Sequence, residues 1–287
     1  MAKELRYKVE RVMSNNAVLV TDPENGRELI LLGKGLGFAK NEGMIDAADP
    51  RIDKRFRMDD EAQRRQYQSL LGDIPPEVFD ISEEIISMME RDISADLNEH
   101  VHVALPSHIH FALYRLRSGM EIDNPFLYET RTLFPKEYEV ASKAAELLGR
   151  TFGMTIPEDE VGFLAYHVHS AIAHVPVGQL VKSTTLITDI VDIIEQTKSI
   201  HIPKDSLDYA RLITHLRFAI ERIRQKKTVK NPFVAGMKQQ YKEEYEIASR
   251  IAAMLAERLQ MEVPEDEVGY IMLHMYRLLQ EFAPKET

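Results

Sequence analysis

The 287-residue chain contains no cysteine. Disulfides, thiolate catalysis and cysteine-zinc sites are thereby excluded. No apolar run approaches the ~18 residues of a membrane span. The N-terminus, Met-Ala-Lys-Glu-Leu-Arg, lacks the apolar core of a signal peptide. The expectation is a cytoplasmic protein without membrane insertion. There is no Walker loop and no kinase signature, so any phosphate would have to come from another protein. Positive charge is outnumbered, 36 Lys/Arg against 46 Asp/Glu. A net charge of −10 argues against a generally basic nucleic-acid binder. The balance is uneven, because residues 1–57 hold 11 Lys/Arg against 9 Asp/Glu. A mildly basic head on an acidic body points to separate jobs.

What the chain does have is a repeat. Ser107-His-Ile-His-Phe-Ala-Leu-Tyr-Arg115 returns as Thr214-His-Leu-Arg-Phe-Ala-Ile-Glu-Arg222, offset by 107 residues. Asn124-Pro-Phe126 returns as Asn231-Pro-Phe233 at the same offset. Pro157-Glu-Asp-Glu-Val-Gly162 returns as Pro264-Glu-Asp-Glu-Val-Gly269. The period is too long for a solenoid unit and matches a whole globular domain. The bounds expected are a head at 1–57, a linker at 58–73, and two copies at 74–176 and 177–287.

The head reads as β. Leu5, Tyr7 and Val9 alternate with charged residues, and Ala17–Thr21 and Arg27–Leu32 are β-prone. Asp22-Pro-Glu-Asn-Gly26 between them signals a hairpin. A head this small buries little core, so a dimer is expected. Gly33, Gly35 and Gly37 lack the following helix that a phosphate loop needs. They leave two readings, a tight bulged strand or backbone laid bare to RNA or ligand. In the second, Phe38 offers a stacking face and Lys34, Lys40 and Arg11 offer phosphate contacts. Asn15 and Asn16 between strands either read base edges or make a turn. Lys54 to Leu71 reads as a polar connector.

Beyond it the chain reads as helices opened by Pro75-Pro76, Pro106, Pro135 and Pro157, and Gly119 closes the second. Val175-Pro-Val-Gly178 joins the copies. Ten histidines occur, and two pairs survive the duplication: His108 with His215, and His167 with His274. Arg115 and Arg222 follow the first of each pair by two turns, hence on one face. A packed histidine at a helix boundary is one reading. Metal binding is a second, encouraged by His100-Val-His102, His108-Ile-His110 and His167-Val-His169. The i,i+2 spacing counts against it, as does replacement of His110 and His169 by Arg217 and Tyr276. The third is phosphoryl acceptance by imidazole, which is mostly neutral near pH 7. A DNA-binding regulator is disfavoured, because no helix-turn-helix with a basic recognition face is present.

At these residues the chain resembles the BglG/SacY-type transcription antiterminators from end to end. Leu97-Asn-Glu-His-Val-His-Val-Ala-Leu-Pro-Ser-His-Ile109, Asn124-Pro-Phe126 and Phe134-Pro-Lys-Glu-Tyr138 look most like the glucose-responsive, GlcT-like branch. The resemblance implies a multidomain architecture, with a small antiparallel β RNA-binding domain before two homologous all-α bundles, the phosphotransferase-system regulation domains. It implies a homodimer that stabilises a leader-RNA hairpin against a terminator. RNA contacts then fall on Arg11, Asn15, Asn16, Gly33, Lys34, Gly35, Gly37 and Phe38. Phosphorylation falls on His108, His167, His215 and His274, with the phosphocarrier protein HPr and a sugar permease (enzyme II) as donors. No enzymatic activity, cofactor or metal is implied. Two departures stand out. Ser107 and Thr214 replace the Asp common before the first histidine, which removes the carboxylate expected to orient it. Ser14 shortens the asparagine run.

Overall fold

In the computed structural model the described residues are 6–15, 17–33, 35–38, 43–52, 54–57, 74–93, 96–227 and 229–282. Asn16, Lys34, Lys40 and the 58–73 linker lie outside them. The chain divides into two compact units, Met1–Asp123 with Val140–His174, and Asn124–Glu139 with Val175–Thr287.

The head is an antiparallel sheet of β1 (Arg6–Val12), β2 (Ala17–Thr21), β3 (Glu28–Leu32), β4 (Met44–Asp46) and β5 (Lys54–Arg57), in the order β4-β1-β2-β3-β5. Lys54–Arg57, expected in the connector, pairs with β3 instead. The hairpin between β2 and β3 closes at Thr21 opposite Glu28. Asp22 holds it, its carboxylate accepting from the Glu24 nitrogen at 2.9 Å and from Asn25 Nδ2 at 3.0 Å. Tyr7, Val18, Val20, Leu29, Leu31, Leu36 and Ile45 form the core.

The described remainder is helical: α1 (Pro76–Ile93), α2 (Val101–Arg117), α3 (Leu127–Leu133), α4 (Pro135–Phe152), α5 (Glu158–Ala173), α6 (Val177–Lys198), α7 (Leu207–Arg224), α8 (Val234–Gln240), α9 (Lys242–Leu259) and α10 (Glu265–Leu279). Shifted by the repeat offset, α3 and α4 coincide end for end with α8 and α9. Apolar faces on helical spacing drive the packing. In α1, Val78, Ile81, Ile85 and Met89 are buried.

Pro106 does not open its helix. It lies inside α2, which starts at Val101 behind a turn in which Asn98 Oδ1 accepts from the His100 nitrogen at 2.9 Å. The asparagine shapes the turn that leads into the helix. Proline costs one carbonyl its partner, and the helix absorbs this near its N-terminal end. His108 is therefore mid-helix rather than at a boundary. Among the described residues no helix is long and apolar enough to cross a membrane.

Candidate functional site

In the first copy α2 and α5 run antiparallel, so residues two turns apart on each meet in two successive pairs. His108 of α2 faces His167 of α5, with ring centroids 4.3 Å apart and planes at 31°. One step along, Arg115 donates to Glu160 at 2.8 Å. Glu160 is the third residue of α5, where the positive helix end favours a carboxylate. It is 1% exposed. Its other oxygen lies 2.6 Å from His108 Nε2, oblique to a hydrogen bond, since neither atom has a hydrogen-bond partner. A buried carboxylate from another helix thus stands beside His108 without a hydrogen bond to it.

The second copy repeats the frame on α7 and α10. His215 and His274 stack with centroids 3.6 Å apart and planes 9° from parallel. Arg222 forks Glu267, Nε to one oxygen at 2.8 Å and Nη2 to the other at 2.7 Å. Such bidentate pairs are the strong form of the charged hydrogen bond. A cleft of about 240 Å³ opens beside the pair, lined by His215, Arg222, Tyr270 and His274 among others.

Burial sets the protonation of these rings. Withdrawal from water pulls the His274 pKa down to about 4, and His215, Arg222 and Arg277 add to the fall. His215 is lowered by burial first, then by Arg211, Arg222 and Arg277. His167 is pushed well below its ordinary value by burial, then by His108 and His100. These three imidazoles are neutral at pH 7 and each keeps a lone pair for nucleophilic attack. Elsewhere, His102 Nδ1 sits 2.8 Å from Glu83. Among the described residues no three His, Cys, Asp or Glu side chains converge as metal ligands.

In the head, the glycine segment is a 3-10 turn, Leu36–Phe38, rather than a bulged strand. The Leu36 nitrogen donates to Gly33 O and the Phe38 nitrogen to Gly35 O. Leu36 is buried in the sheet core and Phe38 is 67% exposed. The Gly37 nitrogen donates to Asn15 O at 2.9 Å. A Cβ at Gly37 would meet Ser14 O at 2.0 Å, so only glycine permits this approach. Asn15 is exposed in the β1–β2 turn, and Arg11 is exposed on β1 where the register shifts. The turn thus brings together Asn15, Gly35, Gly37 and Phe38.

The PRD domain family matches residues 83–171 and again 188–278, and the CAT RNA binding domain family matches 7–65. The PtsGHI operon antiterminator of Bacillus subtilis is 35% identical over 96% of this chain and 99% of its own. Transcription antiterminator LicT of the same organism is 30% identical over 96% and 99%. Protein GlcT of Staphylococcus saprophyticus is 32% identical over 96% and 98%. The chain belongs to the CAT–PRD family of transcription antiterminators. Within that family, the crystal structure of GlcT CAT-PRDI superimposes with a TM-score of 0.50 at 36% identity, over 58% of this chain and 98% of that one.

Sequence reasoning about this antiterminator overlooked Glu160 and Glu267 as site residues. Both were visible as the third acidic residue of a repeated Pro-Glu-Asp-Glu string. In the second copy Glu265 pairs with Lys238 and Tyr245 and Asp266 accepts from the Asn231 nitrogen, whereas the third acid of each first turn is buried against the arginine of the neighbouring helix. The signal was the shared offset that carries Arg115 to Arg222 and Glu160 to Glu267.

Proposed function

We propose that this antiterminator binds a leader-RNA hairpin as a cytoplasmic homodimer and thereby excludes an overlapping terminator. It is switched by phosphate received on His108, His167, His215 and His274. The donors are HPr and a sugar permease of the phosphotransferase system, and the regulated genes serve glucose uptake. The head is taken as 1–57, and the regulated copies as 74–176 and 177–287 beyond the 58–73 linker. RNA contacts are assigned to Arg11, Asn15, Asn16, Gly33, Lys34, Gly35, Gly37 and Phe38.

One observation carries the reading: each copy sets its two recurring histidines ring to ring beside an arginine. A neutral imidazole nitrogen attacks the phosphorus of a donor phosphohistidine. The new N–P bond forms as the donor's N–P bond breaks, and the donor imidazole leaves with the electron pair. The acceptor gains about two negative charges. In a dimer with these sites near the twofold axis, such charges repel where neutral rings would pack. Phosphate on His108 or His167 is expected to open the first-copy interface and reduce RNA binding.

The test combines purified donor proteins with a termination assay and mass spectrometry of phosphohistidine. His108→Ala and His167→Ala variants are expected to keep readthrough when the permease domain is added. Loss of readthrough as fast as in the parent would remove these residues from the switch. Phe38→Ala should weaken leader-RNA binding about tenfold or more, since stacking on an aromatic contributes about 1–3 kcal/mol per base.

A further inference from the structure

The short helix α3 is sequence of the first copy, inside the first PRD match at 83–171, yet it is built into the unit that holds the second. It packs on α7. Glu129 of α3 has no exposed surface. One of its oxygens accepts from the Tyr209 hydroxyl of α7, and the same oxygen lies 3.1 Å from Lys204 Nζ just ahead of that helix. At the far end of α3, Arg217 of α7 donates to Leu133 O at 3.4 Å and stacks over the Phe134 ring at 5.7 Å. A cation there suits the negative end of the helix.

Every polar member of this contact breaks the repeat. At the equivalent places Glu129 becomes Gly236, Tyr209 becomes His102, Lys204 becomes Leu97 and Arg217 becomes His110. Helix α8, which has the same length as α3, therefore cannot supply the carboxylate. Helix α2 cannot supply the donors either, because its His102 is already held by Glu83. Duplicated domains carry nearly equivalent surfaces, so the wrong helix can dock on the wrong copy. A buried carboxylate is costly unless its partners are in place, which penalises each mispairing.

We propose that Glu129, Tyr209, Lys204 and Arg217 form a docking key that fixes α3 of the first copy onto α7 of the second copy in the same chain and rejects the homologous pairings. The key also ties α7, the helix that bears His215, to the first copy's own sequence.

The test is hydrogen–deuterium exchange of the full chain, read peptide by peptide. Tyr209→Phe keeps the ring and strands a buried carboxylate with one donor fewer. It should raise exchange across Leu127–Leu133 about tenfold or more. Val234–Gln240 should stay within about twofold of the parent. Glu129→Gln removes the charge, so its own effect should be smaller, and in that background Tyr209→Phe should add little. Lys204→Leu installs the first copy's residue at a half-exposed position and leaves the core alone. It should raise α3 exchange severalfold. The proposal is overturned if Tyr209→Phe and Lys204→Leu both leave α3 within about twofold of the parent. It is also overturned if the Glu129→Gln and Tyr209→Phe effects multiply, since partners in one cluster cannot act independently.

Discussion

His108 and His167 meet at a 31° tilt, whereas His215 and His274 stack within 9° of parallel. The backbone frame is shared, with His, Arg and Glu at matching places in both copies. The surroundings differ in charge. Glu160 divides its oxygens between Arg115 and the edge of His108, whereas Glu267 gives both to Arg222. Arg211 and Arg277 bear on the second pair. The first copy has Ala104 and Ser170 at those positions. Duplication preserved the means of presenting two paired rings and let the neighbouring charge diverge. Three arginines bear on the second pair, whereas a buried carboxylate stands beside the first.

The largest expected effect breaks the carboxylate anchors. Arg222→Met strands a Glu267 that has no exposed surface, and losing one partner of a buried pair costs about 3–5 kcal/mol. Arg115→Met should cost less, because Arg115 gives Glu160 one hydrogen bond where Arg222 gives Glu267 two. Thermal unfolding of the two variants should show the second-copy change as the more damaging. Equal losses would mean that the second hydrogen bond to Glu267 is energetically empty.

Titration sharpens the contrast next. The folded pKa of His274 lies near 4, below its ordinary value, so the unfolded chain binds the proton more readily. Stability from this group is complete above about pH 6.5 and drains away as pH falls toward 4. The imidazole resonances of His274 should show a midpoint near pH 4. The midpoint of thermal unfolding should fall by several degrees over the same window, and by less in His274→Gln.

Phosphate occupancy offers a smaller handle. With a reversible donor at equilibrium, Arg277→Gln should lower phosphate on His215 and His274 by roughly two- to fivefold, the scale of a partly exposed charge contact. Glu160→Gln should raise occupancy of His108 by a similar factor while leaving the second copy unchanged. A fall at His108 would mean that the carboxylate supports the acceptor rather than opposing its phosphate.

The smallest effect concerns helix ends. Both copies need a left-handed residue after α2 or α7 and after α4 or α9. The first copy uses Gly119 and Gly153, whereas the second uses Lys226 at φ 53° and Gln260 at φ 54°. A side chain there costs about 1 kcal/mol. Gln260→Gly should stabilise the second copy by somewhat less than that, since glycine also loosens the unfolded chain.

These contrasts mark what the sequence could carry. The duplication, the β head and most helix starts were legible because proline, glycine and apolar spacing act locally. Gly119 and Pro157 bound helices as their chemistry dictates. Pro106 misled, because a proline tolerated near a helix start resembles one that begins it. The recurring histidines were legible as candidates but their contact was not. Ring-on-ring geometry depends on how α2 crosses α5, and no local pattern encodes that crossing. Glu160 was hidden for the same reason, its partner Arg115 lying 45 residues earlier in the chain. The 3-10 turn at Leu36 escaped because its shape follows from the fit of Leu36 into the sheet core.

The bond from Gly37 to Asn15 makes two distant stretches of the head a single heritable piece. Any side chain at position 37 would pry the β1–β2 turn away from the loop that presents Phe38. A genetic screen for lost RNA recognition would then return Gly37, although it offers the RNA no side chain at all. Chimeras between relatives should follow the same rule. A head that receives one of these loops without the other inherits a mismatched seam, and the exchange succeeds only when both travel together.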